Sequence, residues 1–137
     1  MVVEVVNAME WVRSRPRQFF GRDDPGAVHL LAYLMADVVD LGGGECVIRR
    51  SAGWWITGSD VDWLGAARRP VVELFRRVVP APGHGEHSMR GEILVAAFAV
   101  DVAVTGEHGL IRVQGDPPVE SVLQEARGLK RAILFRL

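Results

Sequence analysis

The sequence predicts an α+β fold, a two-layer α/β sandwich in which a mostly antiparallel sheet is covered by helices on one face. Three observations predict it. Ala27 to Leu41 repeats its apolar residues at helical spacing. Two pairs of β-prone runs, within 45–57 and 100–114, are each broken by a short turn-forming stretch. Neither a repeat nor a linker divides the chain, and 137 residues suit one domain, 1–137, with a real core.

Taken in order, residues 1–6 (MVVEVV) are β-prone and form an arm or edge strand, which also offers a route to an oligomer. Asn7 caps a short helix reaching Ser14, which ends at Arg15-Pro16 because proline disfavours helical geometry in the residue before it. Asp24-Pro25-Gly26 starts the long helix, with Asp24 as N-cap and Pro25 in the first turn, and Gly42-Gly43-Gly44 stops it. Glu45–Arg50 and Trp54–Thr57 are strands joined through Ser51-Ala52-Gly53. Ser59-Asp60-Val61-Asp62 is a turn with capping chemistry, and Arg69 to Val79 reads as an amphipathic helix. Pro80 to Ser88 is a long Gly/Pro-rich loop, and the alanine-rich stretch Gly91–Ala99 a buried helix. Val100–Thr105 and Leu110–Gln114 pair around Gly106-Glu107-His108-Gly109. Asp116-Pro117-Pro118 either caps a helix with Val119, Val122, Leu123 and Ala126 on one face, or continues extended. Lys130–Leu137 closes as a strand.

Composition narrows the function classes. A net charge of −1 without a basic tail gives no pull toward nucleic acid. The longest apolar run, Ile93 to Val100, is far too short to span a membrane, and the N-terminus lacks the positive region of a signal peptide. A cytoplasmic protein is expected. Cys46 is the only cysteine, which excludes an internal disulfide and suits a small buried hydrophobe.

Candidate site residues lie first on the long helix. Counted from His29, Tyr33 falls at about 40°, Asp37 at about 80° and Asp40 at about 20° around the wheel. Leu30, Leu31, Leu34, Val38 and Leu41 occupy roughly 100–200°. One flank is built for a core, and the other carries an imidazole, a phenol and two carboxylates. Two acids three residues apart on a helix couple, and a nearby tryptophan favours a raised pKa. Trp54 or Trp55 can supply that wall, since strand alternation lets one of them face inward; Trp55 is our candidate. His84 and His87, with Glu86, sit in the 80–88 loop at i,i+3 spacing. They are too few for a metal site, so no metal and no cofactor is expected; His87 is a candidate catalytic group.

The stretch V-R-S-R-P-R-Q-F-F-G at 12–21 resembles the V-R-x-R-P-G-M-Y-I-G segment of the gyrase B type ATPase domain, a member of the GHKL group with its Bergerat-type fold. The order of later elements is similar over almost the whole chain. The resemblance implies a helix bearing catalytic and magnesium-binding residues, an aspartate/glycine turn that holds adenine, and a glycine-rich lid over the phosphates. Matched residue by residue, much of that machinery is missing. With Asp37 at the magnesium-ligating asparagine position, the general-base glutamate position holds Tyr33, a phenol too weakly acidic to activate water. In Thr57-Gly58-Ser59-Asp60-Val61-Asp62-Trp63, either Asp60 or Ser59 stands where adenine would be met, while Val61 and Trp63 replace glycines. In the lid, Gly91 matches, Glu92 puts a negative charge where polyphosphate would lie, and Arg90 partly offsets it. The threonine near adenine is absent at Arg131-Ala132. The sequence also stops where that family adds a second subdomain with a γ-phosphate lysine. The implied protein is a non-hydrolysing gyrase-B-like domain with a pocket repurposed for a small molecule. Its candidate catalytic residues are Asp37, Asp40, Tyr33 and His87, with His29, Trp55, Ser59, Asp60, His84, Arg90 and Glu92 around the ligand. Cyclisation, isomerisation or dehydration in a biosynthetic pathway suits such a set. The alternative is a noncatalytic adenine-nucleotide-binding or protein-interaction module.

Overall fold

The computed structural model describes residues 7–42, 44–79 and 89–137. The arm at 1–6 and the loop at 80–88 lie outside the described residues. Asn7 caps α1 (Ala8–Arg13) as expected, its side-chain oxygen accepting from the Met9 and Glu10 amides. Pro16 then opens a second short helix, α2 (Pro16–Phe20), which left-handed Gly21 ends.

The long helix differs from its expectation at both ends. α3 runs Ala27–Asp37 with Gly26 as N-cap; Asp24 instead pairs with Arg22 at 3.3 Å. The imidazole of His29 does the capping, its Nδ1 accepting the Gly26 amide at 2.9 Å. Beyond Asp37 the helix widens into a π-type turn, Val38–Gly42. The glycines there allow docking as well as termination. A Cβ on Gly42 would lie 2.9 Å from that of Trp63, and one on Gly44 2.8 Å from Val61 Cγ2.

Both hairpins and the closing strand form: β1 (Val47–Ser51) with β2 (Trp54–Ser59), β3 (Asp101–Gly106) with β4 (Gly109–Gln114), and β5 (Arg131–Arg136). Their order in the sheet is β1-β2-β5-β3-β4, and every pairing among the described residues is antiparallel. The expected helix over 69–79 shrinks to α4 (Val71–Leu74), because Pro70 fixes its start and i→i+3 bonds from Phe75 and Arg76 tighten its end. The buried helix is α5 (Glu92–Phe98). α6 (Glu120–Ala126) settles the open alternative as a helix, although Asp116 does not cap it; the Asp116 amide donates to Asp101 Oδ1 at 2.6 Å.

β5 shows where the core sits. Ile133 and Phe135 join α1, α3, α4 and α5 in the main cluster, while Ala132 and Leu134 pack on the other side against Trp54, Ile56, Val122 and Ala126. The helices therefore cover both faces, which amends the one-face expectation. The reason is visible in the strand: a central strand buried on both sides carries no polar face for water to meet. No helix among the described residues is long and apolar enough to cross a membrane.

Candidate functional site

The end of α3 meets the stretch 89–92, and three of the expected site residues come together there. Asp37 is 4% exposed, and its Oδ2 accepts the Gly91 amide at 2.6 Å. Gly91 makes that approach possible: a Cβ there would lie 2.9 Å from Tyr33 Cβ and 3.2 Å from Asp37 Oδ2. Beside it, Arg90 and Glu92 are both buried. Arg90 Nε and Nη2 donate to Glu92 Oε1 at 2.9 and 2.5 Å, and Nη2 also reaches the Trp63 carbonyl at 3.5 Å. Glu92 Oε2 is buried with no hydrogen-bond partner among the described residues.

This arrangement sets the proton affinity of Asp37. Burial, and next the charge of Glu92, push its carboxyl up to about 7 from the ordinary 3.8, against the pull of the Gly91 amide and Arg90. One guanidinium faces two carboxyls, so the group is neutral only when one of them holds a proton. A carboxyl poised near neutrality can both give and take a proton in its surroundings. Replacing Gly91 by alanine should break the contact and lower stability by roughly 1–3 kcal/mol, read from urea unfolding. Unchanged stability would mean that Tyr33 and Asp37 do not press on Gly91.

The other candidates are placed as follows. Tyr33 is half-buried, and its hydroxyl donates to the Phe19 carbonyl at 2.6 Å; burial pushes the phenol pKa up. Phe20 meets the rings of His29, Tyr33 and Phe98 edge-on at 6.2, 5.5 and 5.4 Å. His29 and Tyr33 thus clamp the 16–20 segment onto α3. Asp40 is exposed on the π-type turn, and its charge adds to the rise at Asp37. Trp55 lies on the α3 side of β2 at the margin of the main core, with the Arg50 guanidinium 4.8 Å from its ring. Ser59 is buried, its Oγ accepting the Val61 amide at 3.2 Å, and Asp60 beside it is exposed. His84 and His87 lie outside the described residues.

Two features escaped the sequence. Trp63 is fully buried, and its indole nitrogen has no partner among the described residues. Asp62 takes a two-pronged bond from Arg131, Nε to Oδ1 at 2.8 Å and Nη2 to Oδ2 at 2.9 Å. Arg131 holds the Asp62 carboxyl below its ordinary range, so Asp62 serves as an anchor between the turn and β5. Nothing local marks Asp62 rather than Asp60 for that pairing, since its partner lies 69 residues away.

Among the described residues, no group of three or more His, Cys, Asp or Glu could hold a metal ion. No protein-family model matches the chain, and no curated protein matches it.

Proposed function

We infer that this chain is a non-hydrolysing domain of the gyrase B type that serves a small molecule in place of ATP, with Asp37 exchanging a proton with that molecule. The observation that carries this reading is the buried Asp37 carboxyl, poised near neutrality and held by Gly91 beside the Arg90–Glu92 pair. A protonated Asp37 suits donation to a leaving hydroxyl or an epoxide oxygen, and its ionised form suits recovery of a proton from carbon or water. Cyclisation, isomerisation and dehydration all need that pair of roles. Glu92 argues against a polyphosphate, because like charges about 4 Å apart repel by about 4 kcal/mol at an intermediate dielectric.

Phosphate release and calorimetry with magnesium-ATP should accordingly show neither turnover nor micromolar binding. The positive arm uses the Gly91 amide as a reporter in NMR. Neutral cyclic ethers and hydroxylated aromatics should shift it saturably, with an affinity that changes around pH 7 and loses that dependence in Asp37→Asn. Micromolar ATP binding, or no response at Gly91 to any neutral probe, would overturn the reading. One observation favours a noncatalytic module instead: the Tyr33 hydroxyl and the His29 imidazole are already bonded to backbone groups. In that case ligand affinity at Gly91 would be indifferent to pH.

A further inference from the structure

On the reverse face of the sheet, α6 leaves a cleft of about 330 Å³ beside the β3–β4 hairpin. Thr105 and Leu110, opposite each other in the β3–β4 pairing, supply its floor. Leu123, Ala126 and Leu129 supply the facing wall. The volume falls within the range of small-molecule sites, roughly 300–1,000 Å³.

Two further observations define what would fit. Thr105 Oγ1 is shielded from solvent and has no hydrogen-bond partner among the described residues, whereas buried hydroxyls nearly always have one. Rotation about its Cα–Cβ bond can offer that hydroxyl to a molecule in the cleft. One cation, Arg127, and one acid, Glu120, line the cleft. Arg127 stands at the mouth, paired with Glu120 while both side chains remain largely exposed. Arg112 shares the Leu110 face of β4. Arg131 lies against Gly106, where a Cβ would sit 2.5 Å from its Nη1. Glu107, in the β3–β4 turn, Glu120 and Glu125 are acids nearby in the chain, and Asp62 holds the Arg131 guanidinium.

We propose that this cleft binds a small amphipathic carboxylate bearing a hydroxyl or carbonyl, with its apolar body between Leu110 and Leu123, its carboxylate on Arg127 and its polar group on Thr105. An exposed ion pair is weak because water competes for both partners. A bound carboxylate can therefore take Arg127 from Glu120 and gain two parallel bonds from the guanidinium fork against an apolar wall. The site lies on the face opposite Asp37 and does not depend on the function proposed above.

Amide NMR titration of the whole chain with hydroxyphenylpropanoate, phenylpropanoate and tyramine tests it. Hydroxyphenylpropanoate should shift Thr105, Leu110, Leu123 and Leu129 saturably, and tyramine should not. Arg127→Gln should weaken binding about tenfold, the usual scale for one charge-assisted contact. Thr105→Val should weaken the hydroxylated acid and leave phenylpropanoate unchanged. Leu110→Trp, at a half-exposed edge position, should fill the cleft and abolish binding. Absence of saturable shifts at these amides, equal binding of tyramine, or full affinity in Arg127→Gln or in folded Leu110→Trp would overturn the proposal.

Discussion

Arg90→Met should be the most damaging single change in the molecule, lowering stability by about 3–5 kcal/mol at neutral pH. It removes the one cation among the described residues that faces two buried carboxyls, and Glu92 is fully buried. Breaking such a pair strands a charge that neither water nor protein can accommodate. The double variant Arg90→Met/Glu92→Leu should recover much of the loss, since a matched apolar pair removes both desolvation penalties. Urea unfolding of the two singles and the double gives the coupling directly. Additive losses would mean that the pair does not act as a unit.

The second large effect is a pH dependence that Asp37 imposes with a sign opposite to most carboxylates. Its folded-state pKa is raised to about 7 from 3.8. Below the ordinary value the group is protonated in both states and its contribution is whole. As pH rises from there to about 7, the unfolded chain releases the proton first, and the folded state loses about 4 kcal/mol. Asp62 and Asp101 run the other way. Asp62 is held low by Arg131; at Asp101, burial is outweighed by the Asp116 amide and Arg136. Their contribution is present above the ordinary carboxylate range and lost as pH falls through their folded values. Subtracting the curve of Asp37→Asn from that of the parent isolates Asp37, because asparagine keeps an acceptor for the Gly91 amide. The variant should match the parent near pH 4 and exceed it by up to about 4 kcal/mol at pH 8. Parallel curves would show that Asp37 titrates at an ordinary value.

The strands and the long helix were legible because each rests on local rules. Alternation and the two turn sequences mark both hairpins, and Asn7 has a backbone amide to cap two residues on. The meeting of Asp37 with Arg90 and Glu92 could not be read from spacing, which says nothing across 54 residues. What could not be read was partner choice at long range. Asp24 looks like a cap, yet His29 reaches back and takes that role. Asp60 and Asp62 look equivalent until Arg131 arrives from the other end of the chain. The same limit hid the second helical layer, since α6 shows an apolar face without showing which side of the sheet it covers.

The strand order β1-β2-β5-β3-β4 has a consequence for biosynthesis. The strand that joins the two hairpins is the last of the five to leave the ribosome. Until 131–136 emerge, β2 and β3 present open hydrogen-bonding edges, and the two hairpins have no common sheet. Unpaired edges recruit one another between neighbouring chains, so the nascent chain is most exposed to edge-to-edge pairing during that interval. Ribosome-stalled chains ending before Arg131 should be protease-sensitive across both hairpins, and protection should appear in one step once β5 clears the tunnel. Vectorial synthesis thus builds this sheet from its flanks inward, with its centre placed last.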